Sequence, residues 1–422
     1  MRALVFGVEP GADVAPAPDP AGLGPDDDHA QRLLRHLART PMALQDLADP
    51  EPLGPDWVVL RTRLTGICGS DSKQVFMDTG GDTSDFSMTA FISFPQVLGH
   101  EVVGTVERVG PDARGVEPGQ RVVLQCWLSC APRGITPLCP ACATGDYSQC
   151  WSFTDGRITP GIHVGNSSDG TGGFAELLPA HDSMAIPIPD EISDEVAVLA
   201  DPFAVALHSI TRAAPPEHGK VIVWGAGALG TSAVAILRAL YPTVDVAVVA
   251  RTAAQQATAA KMGAHVVIPS EQDGETLVRA LAEFSGGVLR TPWQGLPIAH
   301  PGFVDRCYDT IGSPQTLELA LRVMAARGVI SVTGVYAAGR FEWSPWYFKE
   351  VSIVGSNAFG VEEVDGVRKH AIEHYLDLVR DGRVDISPML THTFRLDEWR
   401  DAFTTLARQD RTGAIKVAFD FR

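Results

Sequence analysis

Two hydrophobic rhythms divide this chain. In its first part, apolar residues gather in short β-branched runs bounded by Gly and Pro: "WVVLRTRLTGIC", "VLGHEVVGTVERVG", "RVVLQ" and "GGFAELLPA". Such runs predict strands. Between roughly Lys220 and Gly355 the rhythm changes, and apolar strands alternate with helical stretches. "KVIVWG" leads into "ALGTSAVAILRAL", "VDVAVVA" into "AAQQATAAKMG", and "HVVI" into "ETLVRALAEF". "FVDRCYDT" is followed by "PQTLELALRVM", "GVISVTG" and later "VSIVGS". This alternation predicts an α/β fold with a doubly wound parallel sheet. Two amphipathic helices follow, "VRKHAIEHYLDLVRDG" and "LDEWRDAFTTLAR", then a last strand, "GAIKVAFDF". No internal repeat is visible, and 422 residues suggest two domains.

Three segments fit neither rhythm. Residues 11–41 read as a Pro/Gly/Asp-rich loop around a short helix, "HAQRLLRHLAR". "MDTGGDTSDFSMTAFIS" and "SGGVLRTPWQGLPIAHPG" are long for loops of a compact domain. The last is expected to decorate the surface, and the first two to border a substrate cleft. Composition, at 45% hydrophobic and 20% charged residues, is that of a soluble globular protein. A formal net charge of −17 argues against a nucleic-acid partner, because phosphates need a basic footprint. No run reaches membrane-span length, and "ALVFGV" is too short for a signal-peptide core. A cytoplasmic protein with reduced thiols is the expectation.

"VIVWGAGALG" places Gly225, Gly227 and Gly230 after a strand and at the opening of a helix. The first glycine allows a tight turn, the second lets backbone approach a pyrophosphate, and the third permits close helix–strand packing. The helix N-terminus adds N–H groups and a favourable dipole. The end of the next strand, where an acidic residue would grip a ribose hydroxyl, holds Ala250 followed by Arg251. A cation without a carboxylate favours a 2′-phosphate, hence NADP over NAD.

Five of the seven cysteines lie in "CWLSCAPRGITPLCPACATGDYSQC", residues 126–150. A disulfide staple, a redox Cys-x-x-Cys pair and a metal site compete for them. Cys130, Cys139, Cys142 and Cys150 offer four thiolates, which suit a closed, structural zinc. "CPAC" as a thioredoxin-like pair should open a helix, which the surrounding Pro, Gly and Thr do not support. Cys126 is left over. A second set is scattered: Cys68 and Ser70 in "GICGSD", His100 and Glu101 in "LGHEVVG", and Asp201 in "LADPFAVALH". Cys, His and carboxylate make an open zinc site with a position for a substrate oxygen. Singly, each has a plainer explanation, such as a buried thiol, a core histidine or a helix cap.

With these motifs in view, the chain resembles the zinc-dependent medium-chain alcohol dehydrogenase family. The likeness rests on "GICGSD", "LGHEVVG", "GVEPGQRVV", the lobe ending "CATGDYSQC", "GGFAELLPA", "GAGALG" and "GAIKV". It covers nearly everything from residue 50 onward, plus "MRALVF". The resemblance implies a GroES-like β-rich catalytic domain (residues 1–202, completed by 356–422) around a Rossmann domain (203–355). It implies catalytic-zinc ligands at Cys68, His100 and Asp201, with Glu101 as an exchanging acid. It further implies a proton relay starting at Ser70, structural zinc at Cys130, Cys139, Cys142 and Cys150, and Lys416 against the cofactor pyrophosphate. The expected reaction is hydride transfer between an alcohol, aldehyde or ketone and a nicotinamide cofactor, in a homodimer or homotetramer. Two departures stand out. "APRGITPL" separates Cys130 from Cys139, and Lys73 stands where many members end the relay with histidine. A zinc-free enoyl or quinone reductase and a non-catalytic nicotinamide-binding sensor are the rival readings.

Overall fold

The computed structural model describes residues 1–8, 28–77, 87–334 and 339–422. They form two compact units, Met1–Asp201 with Leu390–Arg422, and Pro202–Met389.

The second unit is built on six parallel strands. In spatial order they are Val266–Pro269, Asp245–Ala250, Lys220–Trp224, Val304–Asp309, Met324–Val332 and Ser352–Gly355. Successive strands are laid outward in one direction from Lys220–Trp224, and the later three in the other. The chain therefore reverses its winding beside Lys220–Trp224, the point where such sheets bind ligands. The central strand is apolar along its length because helices cover both faces, so Val221, Ile222 and Val223 are fully buried. The intervening helices begin at polar caps: Thr252, Asp273 and Ser313 each accept a backbone N–H of the first turn.

Three expectations are corrected in this unit. The segment read as a long loop at 285–302 contains a small antiparallel ribbon, Leu289–Arg290 against Ile298–Ala299. The helix expected over "VRKHAIEHYLDLVRDG" starts only at Ala371, because Val367–His370 pairs with Val361–Val364. The cause is a hairpin signal: Asp365 and Gly366 both take positive φ, at 52° and 77°, in the two-residue turn that Asp-Gly favours. His370 then caps the helix, accepting from Ile372 N. Residues 356–389, expected with the first domain, belong to this unit. The Glu362 carboxylate holds His208 Nδ1 at 2.6 Å, and Tyr375 packs on Phe203 with ring centroids 4.7 Å apart.

The first unit centres on the strand Trp57–Gly66. It pairs along one side with Glu101–Val109, and along the other with Leu177–His181 and Lys416–Asp420. Arg121–Leu124, Ala185–Pro187 and Leu390–Phe394 complete seven strands. A smaller antiparallel sheet joins Arg2–Phe6 to Met42–Asp46 and Gln96–Val97. Its core packs Leu4, Leu34 and Leu37 with Phe174, Phe403 and Phe419, so both chain ends share one apolar cluster. The expected short helix is present as Asp28–Leu37. The rest of that insertion up to residue 27, and residues 78–86 of the second, lie outside the described residues. Among the described residues no helix is long and apolar enough to cross a membrane.

Candidate active site and metal centres

Cys130, Cys139, Cys142 and Cys150 bring their sulfurs within 4.8 Å of one another. All seven cysteines are free, and Cys130 and Cys150 stand 3.6 Å apart, far beyond a disulfide bond. Backbone N–H groups of Cys139, Cys142 and Ser152 point at the sulfurs of Cys130, Cys139 and Cys150, at 3.4–3.5 Å. Donors aimed at sulfur favour the thiolate. Burial opposes this at Cys139, yet the N–H groups of Trp151 and Cys142 help bring its thiol down to about 6. Four converging thiol groups held this way fit a tetrahedral dication closed to solvent. One expectation fails here, since "CPAC" does open a helix. Cys139 is the N-cap, Pro140 occupies the first turn, and Gly145 ends the helix after Thr144 at φ 87°. Proline is favoured at that first position rather than excluded from it.

The second set is assembled by Asp71. Its carboxylate accepts the backbone N–H of Cys68 at 2.9 Å and of Gly99 at 3.3 Å, tying together the segments that carry Cys68 and His100. Donor atoms of Cys68, His100 and Glu101 lie within 4.8 Å of one another. Asp201, in the first turn of the helix Ala200–Arg212, lies just outside that group, its Oδ2 3.9 Å from Cys126 Sγ. Lys416 is buried, ion-paired to Glu101 and donating to Ile67 O at 3.1 Å. The lysine expected at a cofactor pyrophosphate therefore stands inside the acidic cluster. Ser70 and Lys73 sit on the helix Gly69–Val75, Ser70 exposed and Lys73 half-buried.

The electrostatics of this cluster call for a cation. Burial works against a charged His100, but Asp71, Cys68 and Asp201 outweigh it and hold the imidazole well above its usual range. Burial also pushes the Asp201 carboxyl up to about 7, against the pull of His100. His100 Nδ1 is buried without a hydrogen-bond partner, 3.7 Å from Asp71 Oδ1. A thiol, an imidazole and a carboxylate whose donor atoms converge are the donors a zinc ion takes.

Three neighbours escaped sequence reasoning. Asp71 was visible in "GICGSD" but has no donor of its own to offer. Cys126, apparently surplus, belongs beside Asp201. His163 lies against His100 with ring centroids 4.5 Å apart and the rings tilted by 47°, and only the tertiary fold brings it there.

In the second unit, Gly225 has φ 94°, and a Cβ there would meet Thr310 Oγ1 at 2.5 Å. A Cβ on Gly230 would strike the Gly225 carbonyl, whereas Gly227, the N-cap of the helix Ala228–Leu240, faces open space. Tight turn, open helix N-terminus and close packing are thus all present, and a dinucleotide pyrophosphate fits there. Ala250 is buried and Arg251 exposed at the end of the neighbouring strand.

Comparison with known proteins agrees with this geometry. The family model "Alcohol dehydrogenase GroES-like domain" matches residues 54–190, and "Zinc-binding dehydrogenase" matches residues 228–375. (R,R)-butanediol dehydrogenase of Saccharomyces cerevisiae is 28% identical over 380 residues, covering 86% of this chain and 90% of its own. L-threonine 3-dehydrogenase of Paraburkholderia xenovorans is 29% identical over 377 residues, covering 89% and 95%. Galactitol-1-phosphate dehydrogenase from Escherichia coli superimposes with a TM-score of 0.70 at 21% identity over 100% of both chains, which shows the shared fold. The fingerprint, the metal-ligand clusters and these matches together make the chain a member of the zinc-dependent medium-chain alcohol dehydrogenase family, oxidoreductases that use a nicotinamide cofactor.

Proposed function

We propose that this protein oxidises a secondary alcohol flanked by a second polar substituent, or reduces the matching carbonyl, with NADP preferred over NAD. The observation that carries the reaction is the converging donor set Cys68, His100 and Glu101, with the buried Asp201 coupled to it electrostatically. Cys68, His100 and Asp201 would hold the catalytic zinc, with Glu101 able to exchange. Gly225, Gly227 and Gly230 would receive the cofactor pyrophosphate. When bound, zinc polarises the substrate oxygen and lowers the alcohol pKa, and the nicotinamide carries the hydride. Ser70 takes the hydroxyl proton, and Lys73 on the same helix stands on its way to solvent. Lys416 offsets the charge of Glu101 and so keeps the site from accumulating negative charge.

The substrate class is suggested by the relatives, one named for a diol and another for an amino acid with adjacent hydroxyl and amine. The cofactor preference rests on Ala250, which offers no carboxylate to a ribose hydroxyl, and on Arg251, which can donate to a 2′-phosphate. That contact is worth about 1.5–3 kcal/mol, or roughly ten- to a hundredfold in affinity. Nicotinamide absorbance during turnover of (R,R)-2,3-butanediol, sorbitol and 2-butanol, each with NADP and with NAD, tests the reading. Turnover that favours NADP and disappears in Cys68→Ser is expected. Preference for NAD removes the role given to Arg251. Full activity in Cys68→Ser would revive the zinc-free reductase.

A further inference from the structure

His163 is held beside the catalytic cluster by a short antiparallel pairing. Leu128 N donates to Ile162 O at 3.0 Å and Val164 N to Cys126 O at 2.9 Å, which sets Trp127 and His163 directly opposite each other. Asn166 Oδ1 fixes the turn, accepting from the backbone N–H groups of Ile162 and His163 at 2.8 and 3.0 Å. The imidazole thereby lies with its centroid 4.5 Å from that of His100, and the Trp127 ring meets it edge-on at 6.0 Å.

Its polar atoms are used unequally. Nδ1 lies 2.6 Å from Val164 O, and a carbonyl only accepts, so Nδ1 carries the hydrogen. In the neutral ring Nε2 is then an acceptor, and among the described residues no group donates to it. The side chain is half-buried rather than sealed in the core. A histidine serving only the fold would be expected to use both nitrogens. This one keeps an acceptor on a ring whose centroid is 4.5 Å from that of His100.

We propose that His163 is a specificity residue whose Nε2 accepts a hydrogen bond from the hydroxyl on the carbon next to the reacting carbinol. The inference rests on the substrate class proposed above, and it assigns the recognition of the second hydroxyl to one side chain. A site built to bind a hydroxyl disfavours the analogue that lacks it, because the acceptor is left unpaired once the bound substrate covers it.

The experiment compares kcat/KM for (R,R)-2,3-butanediol and 2-butanol in the zinc-loaded protein and three variants. The wild type should favour the diol. His163→Phe keeps a ring against His100 but deletes the acceptor, so the diol should lose about ten- to a hundredfold more than 2-butanol, mainly through KM. His163→Asn, too short to replace Nε2, should behave alike and carries the test if the Phe variant does not fold. His163→Gln can present an oxygen near the Nε2 position and should restore most of the preference. Zinc content and melting temperature, measured alongside, separate lost recognition from lost structure. An equal loss on both alcohols without rescue by Gln, or an unchanged preference in the Phe and Asn variants, overturns the role of His163. A wild type that oxidises both alcohols without preferring the diol overturns it too, while leaving alcohol oxidation intact. A wild type that oxidises neither refutes the proposed function itself.

Discussion

Arg133 lies in "APRGITPL", the segment that separates Cys130 from Cys139, and it is the residue whose loss should be felt most in the cysteine lobe. Its side chain is 1% exposed and spreads its guanidinium over five backbone carbonyls. Nε donates to Leu128 at 2.8 Å, Nη1 to Asp155 and Ile158 at 2.8 and 2.9 Å, and Nη2 to Thr159 and Gly161 at 3.1 and 2.7 Å. In Arg133→Met the aliphatic volume is largely kept but every donor is gone. Asp155 is exposed and Thr159 half-buried, so their carbonyls recover water, whereas Leu128, Ile158 and Gly161 are buried. A buried carbonyl left unpaired costs about 1–3 kcal/mol. Against this stands the relief of no longer burying a cation, a cost visible in the Arg133 pKa, which burial brings down to about 10. The balance is a loss of about 3–5 kcal/mol, among the larger single-site effects. At roughly 2–4 °C per kcal/mol for a domain of this size, the melting temperature should fall by about 10 °C. Differential scanning calorimetry measures this directly. Arg133→Lys should recover less than half, since an ammonium lacks the planar fork that reaches several carbonyls at once. A drop below about 2 °C in Arg133→Met would show that the five contacts are made at no net gain, and that the segment is mere surface insertion.

Two further perturbations test the metal lobe and a buried carboxylate held by arginines. Cys142→Ser should lose one of about two zinc ions per chain, together with thermal stability, because structural metal binding is folding free energy; unchanged metal content and melting temperature would refute the closed site. Asp194 is buried and surrounded by Arg63, Arg121 and Arg422 at 2.8, 3.0 and 3.4 Å. Burial raises its pKa, but the hydrogen bonds from Arg63 and Arg121 outweigh it and hold the carboxyl below its usual value. A depressed folded pKa means that the stabilisation is complete above the unfolded carboxylate value, near pH 4, and is lost as pH falls through the folded value. Asp194→Asn should cost about 3 kcal/mol at neutral pH, the low end for breaking a buried pair, because the arginines are partly exposed and screened. Denaturant melts of both proteins should converge toward strongly acid pH, and a gap that widens there would contradict the assignment.

What the sequence reveals here follows from how local each signal is. Gly225, Gly227 and Gly230 could be read directly because each answers a requirement of neighbouring backbone: a positive φ, an open helix N-terminus and a contact with the preceding strand. Cys68, His100 and Glu101 could be named because their donor chemistry is distinctive, although nothing local says that they meet. Asp71 could not, since its task is to accept two backbone N–H groups, one of them from Gly99, far along the chain. His163 and Cys126 were hidden for the same reason: a pairing between 126–128 and 162–164 decides what they face. The strand at Val367 differs in kind: the "DG" turn is a local signal in the sequence, and in the structure it prevails over the apolar helical periodicity around it.

The charge balance of the candidate catalytic centre is itself a product of topology. Asp71, Glu101 and Asp201 stand together with the Cys68 and Cys126 thiols, and the protein supplies only His100 and Lys416 as cations among the groups described around them. Lys416 arrives from the far end of the chain. The strand Lys416–Asp420 pairs with Trp57–Gly66 at Ala418 and Gly66, and this register carries the ammonium to Glu101, which faces Gly66 from the other neighbouring strand. Burial lowers the lysine's affinity for its proton, but the pull of Glu101, Cys68 and Asp201 more than restores it, so the cation persists at neutral pH. The carboxyls of Asp71, Glu101 and Asp201 outnumber these two cations, and burial raises those of Asp71 and Asp201, an imbalance that a dication held there would relieve. The return of the C-terminal strand to the first sheet is therefore part of the chemistry. It brings one positive charge to Glu101, beside the converging donor atoms of Cys68 and His100.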